Sequence, residues 1–270
     1  MGMVGLSNAS VFSKVPLNSN LTQSNDKGAG NTLTYRADTD YIMFYMGDFD
    51  AGAWTSGCLP LLWDDPKRGE LPLAWPVCAD LANRVPQVFN YLYETAGEND
   101  YFVSGDNGTG YLNPMFLEGD KVPSGMSNFL NVWKAHNIAS NERFDIDITG
   151  FLIAGNAGSI TPTVQAAYHE ISPQGVVYQG SVSQAVYQGT PFAPYWDIGG
   201  EIKAASADSV ADNIHSRLQN QGQFHCFRSV LTQPSRIVEI VNSLRTRYPN
   251  QKFEVVDPYT FMKFFKQANS

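Results

Sequence analysis

The chain is poor in cysteine, in basic charge and in long apolar runs. Its 270 residues hold three cysteines, Cys58, Cys78 and Cys226. No two of them form a CxxC pair, so zinc and thiol-redox chemistry have little support. Cys78 and Cys226 lie in apolar runs and read as buried thiols. Eighteen basic residues face 26 acidic ones, a formal charge of −8, which argues against electrostatic binding of nucleic acid. No apolar run reaches the length of a membrane span, so neither nucleic acid nor membrane is an expected partner. The first residues, MGMVGLSNASVF, lack a charged start and a long apolar stretch, so no secretory signal is visible. The four histidines, His136, His169, His215 and His225, show no HxxxH or HExxH spacing, which removes the usual two-histidine zinc site. There is no GxSxG elbow, and so no sign of a serine hydrolase of that type.

What is present is apolar and aromatic. Hydrophobic residues make up 43% of the chain and aromatics 13%, with five Trp and thirteen Tyr. That is a globular composition, large enough for a substantial core. Most of these rings belong to packing, although Trp and Tyr beside loop carboxylates also suit sugar rings.

Residues 1–39 are polar and read as an irregular lead-in, with residues 40–270 as one domain. From Tyr41 the rhythm changes. Continuous apolar runs predict strands at Tyr41–Gly47, Leu71–Val77, Asp100–Ser104, Ile146–Ala154, Val176–Gln179, Pro191–Trp196, Phe224–Leu231 and Phe253–Val256. Between them, helical spacing predicts Ala79–Thr95 (broken at Pro86), Asn128–Ala139, Thr161–Ile171, Ala207–Leu218, Ser235–Tyr248 and Tyr259–Ala268. Strand–helix alternation repeated about eight times predicts an α/β fold. The expected form is a single (β/α) barrel of seven or eight mostly parallel strands, with an open doubly wound sheet as the alternative.

In either arrangement chemistry gathers at the carboxyl ends of the strands. Those ends carry Asp48 and Asp50, then Trp75, then Asp106 and Asn107, Asn156, Asp197 and Arg228. Any single Asp or Asn there can equally be a turn or a helix cap. The Asp48-x-Asp50 pair is less ordinary: in extended geometry both carboxylates face one way. Such a pair can split acid and base roles or hold a divalent ion. No cofactor and no tightly bound zinc are expected; any divalent ion would sit on Asp48 and Asp50. The stretch Val103–Pro114, VSGDNGTGYLNP, sets three glycines around Asp106 and Tyr111. Those glycines permit positive φ and close approach of backbone to a ligand. A phosphate cradle is disfavoured, because no GK[ST] follows and no basic residue is near.

The segment Gly108-Thr109-Gly110-Tyr111-Leu112-Asn113-Pro114 resembles the signature of the GxGYxYP family, with Asn113 where the pattern has Tyr. NASVFSK, YMGDFDAGAW, DDPKRGELPLAWPV, FRSVLTQPS and VVDPYTF resemble that family in the same order. The resemblance implies a (β/α) barrel of the glycoside hydrolase and polysaccharide deacetylase kind, and a secreted or periplasmic bacterial protein. The expected substrate is an oligosaccharide or polysaccharide. Asp48, Asp50, Asp106 and Asp197 form the pool for a catalytic carboxyl pair. Trp54, Trp75, Asn107, Tyr111, Asn113, Asn156 and Arg228 are the expected sugar contacts. A metal-dependent deacetylase and a non-catalytic carbohydrate-binding domain are the alternatives.

Overall fold

The computed structural model describes residues 8–118 and 129–270. Seven strands run parallel and close on themselves: β1 (Asp40–Tyr45), β2 (Leu73–Val77), β3 (Asp100–Ser104), β4 (Ile148–Leu152), β5 (Gly175–Tyr178), β6 (Thr190–Asp197) and β7 (Phe224–Arg228). Each pairs with the next in this order, and β7 pairs back onto β1. The fold is therefore a closed seven-stranded parallel α/β barrel. An eighth strand, β8 (Phe253–Val255), pairs beside the start of β1. It wedges in where β1 and β2 have splayed, since those two meet only at Tyr45 and Ala74.

Both faces of β1 to β5 and of β7 are buried along nearly their whole length, which is why these strands read as unbroken apolar runs. Side chains inside the barrel include Tyr41, Met43, Tyr45, Ala74, Tyr101, Val103, Ile148, Val177, Ala193 and Cys226. The outward residues pack beneath helices. Phe44, Trp75, Phe102 and Phe227 meet Val88, Phe89, Ile214, Ile237 and Leu244. Leu152, Val176 and Phe192 meet Trp133, Val164 and Tyr168. The amino end of the barrel is closed by the last helix, Pro258–Asn269, whose Phe261, Phe264 and Met262 join the interior cluster. The Phe264 ring meets Tyr41 edge-on at 4.9 Å. Burying each such ring contributes about 2 kcal/mol.

Helix starts follow their local chemistry. Pro86, Pro162, Pro234 and Pro258 each open a helix, where a missing N–H costs nothing. Pro86 splits the expected Ala79–Thr95 helix into a 3₁₀ turn, Ala79–Asn83, and a helix, Pro86–Thr95. The helix expected over Asn128–Ala139 runs Leu130–Arg143; its predicted first residue falls outside the described residues.

The lead-in is tied to the barrel side wall. Strands β3 and β4 pair only through Ser104 and Thr149. The Gln23 side chain fills the gap like a strand peptide. It donates to the Phe102 and Asp145 carbonyls and accepts from the Phe102 N–H. Asn25 donates to the Asp100 carbonyl one step along.

Candidate active site

At the carboxyl end of the barrel one cation organises the acids. Arg228 closes β7, and by alternation from Phe224 and Cys226 its side chain points inward. The guanidinium donates to Asp48 Oδ2 and, at 2.5 Å, to Asp197 Oδ2. Its Cζ lies 4.9 Å from the Phe151 ring centroid, a cation–π contact in a partly desolvated place. Asp48 is pushed above the usual carboxylate range by burial, against the pull of Arg228, with Asp50 and Asp197 adding to the rise.

Asp106 is the more perturbed acid. It is 2% exposed, and burial, with the charges of Asp48 and Asp50, pushes its carboxyl up to about 8. Arg228 acts on it only at a distance. Tyr111 is 44% exposed and feels Asp106, Asp50 and Asp48 in turn. The structure thus gathers Asp48, Asp50, Asp106, Tyr111 and Arg228 around one place.

The glycine loop explains how Asp106 gets there. Asp106, Asn107, Gly108, Gly110 and Tyr111 all have positive φ. Gly108, at φ +96°, lies so close to Asn137 that a Cβ would stand 2.2 Å from the carboxamide oxygen. That same oxygen accepts the Thr109 N–H at 2.6 Å. Asn137 is fully buried on the helix Leu130–Arg143, and its own Nδ2 donates to the Trp133 carbonyl. So the loop is a fixed bracket rather than a plain surface turn.

Several expected contacts are used up by the fold. Trp75 is 1% exposed and faces outward, stacked edge-on against Trp63 with its Nε1 donating to Asp100; it cannot meet a sugar. Asn107 is buried, with its carboxamide oxygen taken by the Ile153 N–H. Asn113 caps the turn Pro114–Phe116 through Met115 N and donates to the Ala154 carbonyl. Asp197 is expected among the catalytic acids, but one oxygen accepts the Gly199 N–H and the other holds Arg228. It orients the cation. Asn156 is exposed on the turn Gly155–Ala157, and Trp54 is 45% exposed on the helix Gly52–Gly57. Both remain free to meet a ligand. The same-side argument for Asp48 and Asp50 fails in its premise, because β1 ends at Tyr45.

Among the described residues no three His, Cys, Asp or Glu side chains are arranged to hold a metal. The Asp48 oxygen nearest Arg228 already has its cation. A cleft of about 340 Å³ opens at the amino end of the barrel, lined in part by Asp26, Tyr101 and Asp257. Its aspartates accept backbone N–H groups, Asp26 from Gly28 and Gly30 and Asp257 from Thr260, so its volume does not mark the chemistry. Sequence reasoning missed Tyr45 and Asn137; an Asn inside a helix facing the glycine loop was the available signal for the second.

The fold is a closed parallel barrel whose carboxyl end gathers Asp48, Asp106, Asp197 and one arginine, the end at which barrels of this kind carry their loop-borne chemistry. The chain belongs to the GxGYxYP family: residues 38–266 match the model described as "GxGYxYP putative glycoside hydrolase C-terminal domain". It is similar to the crystal structure of a "putative hydrolase" from Bacteroides thetaiotaomicron at 18% identity and a TM-score of 0.73. That likeness covers 97% of this chain and 51% of the other, so the chain spans about half the length of the protein it matches. A peptidoglycan deacetylase from Bacillus subtilis aligns at 11% identity over 87% of this chain and 95% of its own. With a TM-score of 0.37 that alignment carries no argument. No curated protein matches the chain.

Proposed function

We propose that this domain is a glycoside hydrolase in which Asp106 is the general acid and Asp48 the opposing carboxylate. The carrying observation is the unequal environment of two neighbouring acids. Asp106, pushed up to about 8, keeps its proton at neutral pH. Asp48, in direct contact with Arg228, has a cation to hold its negative charge. Two carboxyl groups raised unequally in this way suit the acid and base roles in cleavage of a glycosidic bond. Asp106 would protonate the leaving oxygen, while Asp48 would serve as base or nucleophile. Trp54 and Tyr111, two exposed rings on loops after β1 and β3, would stack on the sugar, and Asn156 would meet hydroxyls at the rim. Family membership supports the substrate class. By the same resemblance we propose a secreted or periplasmic setting.

The pH dependence follows with its sign. Asp48 must be ionised, so turnover falls as pH drops through its raised value. Asp106 must be protonated, so turnover falls as pH rises through about 8. The test is release of reducing ends from a panel of polysaccharides by the wild type, Asp106→Asn and Asp48→Asn. Each variant is expected to lose at least a hundredfold in kcat. Full activity in both would overturn the assignment. Binding without turnover by the wild type would favour a carbohydrate-binding domain.

A further inference from the structure

The ionic groups of the site occupy only part of the rim. Asp48 and Asp106 come from the loops after β1 and β3, and Arg228 from the end of β7. The loops after β4 and β5, residues 153–161 and 179–189, carry no charged side chain; they read IAGNAGSIT and QGSVSQAVYQG. The rim is thus ionic on one side and uncharged on the other.

The two uncharged loops are fixed to each other. Ser159–Ile160 pairs in parallel with Ser181–Val182. Gly180, at φ +94°, lies so close to Gly158 that a Cβ would stand 2.4 Å from its carbonyl oxygen. The fully buried Gln165 donates to the Gln184 carbonyl at 2.9 Å and accepts from the Ser183 hydroxyl.

The floor of the barrel mouth leads from this wall to the acids. Tyr195 follows Ala193 on β6 by two residues and so points inward, beside Cys226 on β7. Its ring meets Phe151 edge-on at 4.8 Å, and Phe151 lies 5.9 Å from the Tyr45 ring and against the Arg228 guanidinium. The Phe151 carbonyl accepts the N–H of Asn107, the neighbour of Asp106, at 2.9 Å. Gln179, the first residue after β5, donates to the Tyr195 hydroxyl at 3.3 Å and accepts the Gly155 N–H at 3.2 Å. It therefore ties Tyr195 to the turn that carries Asn156. The Tyr195 O–H and the second N–H of Gln179 find no acceptor among the described residues.

We propose that Tyr195, Gln179 and Asn156 form a subsite for an uncharged sugar ring, with the Tyr195 and Gln179 donors on its hydroxyls and uronic acid units excluded. The inference rests on the hydrolytic reading above, which places the scissile bond at Asp48 and Asp106. A sugar carboxylate seated here would face Asp48, Asp50 and Asp197, while the cation among them, Arg228, is already shared by two of the three. Like charges brought together in a partly desolvated site are unfavourable. Hydroxyls need only donors and acceptors, which amides and a phenol supply.

The test is an NMR titration that follows the ¹⁵N-labelled Gln179 side-chain amide and the ¹³C-labelled Tyr195 ring. The probes are cellohexaose, mannohexaose and xylohexaose, with hexagalacturonate as the anionic counterpart. At least one neutral hexasaccharide should shift both signals, and hexagalacturonate neither. Tyr195→Phe, which keeps the ring on Phe151, should weaken binding of that hexasaccharide about tenfold, the worth of one hydrogen bond, with an unchanged melting temperature. If Tyr195→Phe does not fold, Gln179→Ala, on a loop, should weaken binding by a similar factor. No shift by any neutral probe, an equal shift by hexagalacturonate, or unweakened binding in the variants would overturn the proposal. The hydrolytic reading is judged separately: a neutral hexasaccharide that shifts both signals but is never cleaved by the wild type leaves the subsite standing and defeats that reading.

Discussion

Asp257 and Asp106 are both almost completely buried, 3% and 2% exposed, yet they live at opposite ends of the barrel and in opposite chemistry. Asp257 stands at the amino end, where it caps the closing helix. One oxygen accepts the Thr260 N–H at 2.8 Å and the other accepts from Asn31 at 3.1 Å. Asp106 stands at the carboxyl end, where no hydrogen bond from the described residues reaches it and two neighbouring acids add to the cost of its charge. The first arrangement supplies the buried carboxyl with hydrogen-bond donors. The second supplies none and makes a charge on Asp106 costly, which favours the protonated form. The same residue type thus holds the fold together at one end and stores a proton at the other.

That contrast can be pressed first at the cation. Arg228→Met would leave Asp48 and Asp197 facing each other without their shared donor. The expected loss is about 3 kcal/mol of stability at neutral pH, shrinking in acid as Asp48, already raised by burial, protonates. A chemical denaturation series over pH would show it, and a pH-independent loss would mean that packing on Phe151, not charge, is what Arg228 supplies. The smaller effect is at the rim. Trp54 is exposed and should matter only to ligand, so Trp54→Ala is expected to raise KM about tenfold while leaving the melting temperature within a degree or two. A clear drop in melting temperature would make Trp54 part of the packing, like Trp75.

How far the sequence reaches is clearest at those two tryptophans. Strand positions were legible because parallel strands buried on both faces are unbroken apolar runs. That property hides which face is which. Trp75 and Tyr45 are both aromatic strand residues, yet one lies outside the barrel under a helix and the other inside beneath the acids. Asp48, Asp50, Asp106 and Arg228 were legible as candidates from position alone, and the structure brings them to one end of the barrel, although an Asp ending an apolar run is as often a turn or cap. Asn107, Asn113 and Asp197 carried the same signal but proved to be bonded within the fold; turn chemistry and ligand chemistry use the same side chains. The clasp of Gln23 between β3 and β4 left no trace in pattern, since its partners are backbone groups some eighty residues and more away.

The most direct check on a stored proton at Asp106 needs no substrate. Its folded value lies above the ordinary carboxylate value of 3.8. The wild type should therefore match Asp106→Asn in acid and lose stability relative to it as pH rises. The deficit should grow by about 1.4 kcal/mol per pH unit and level off above about 8. Denaturant unfolding of both proteins from pH 3 to pH 9 measures that difference. A deficit that climbs through neutrality and then flattens is the expected result; two parallel curves, or a variant less stable than the wild type at pH 8, would contradict it.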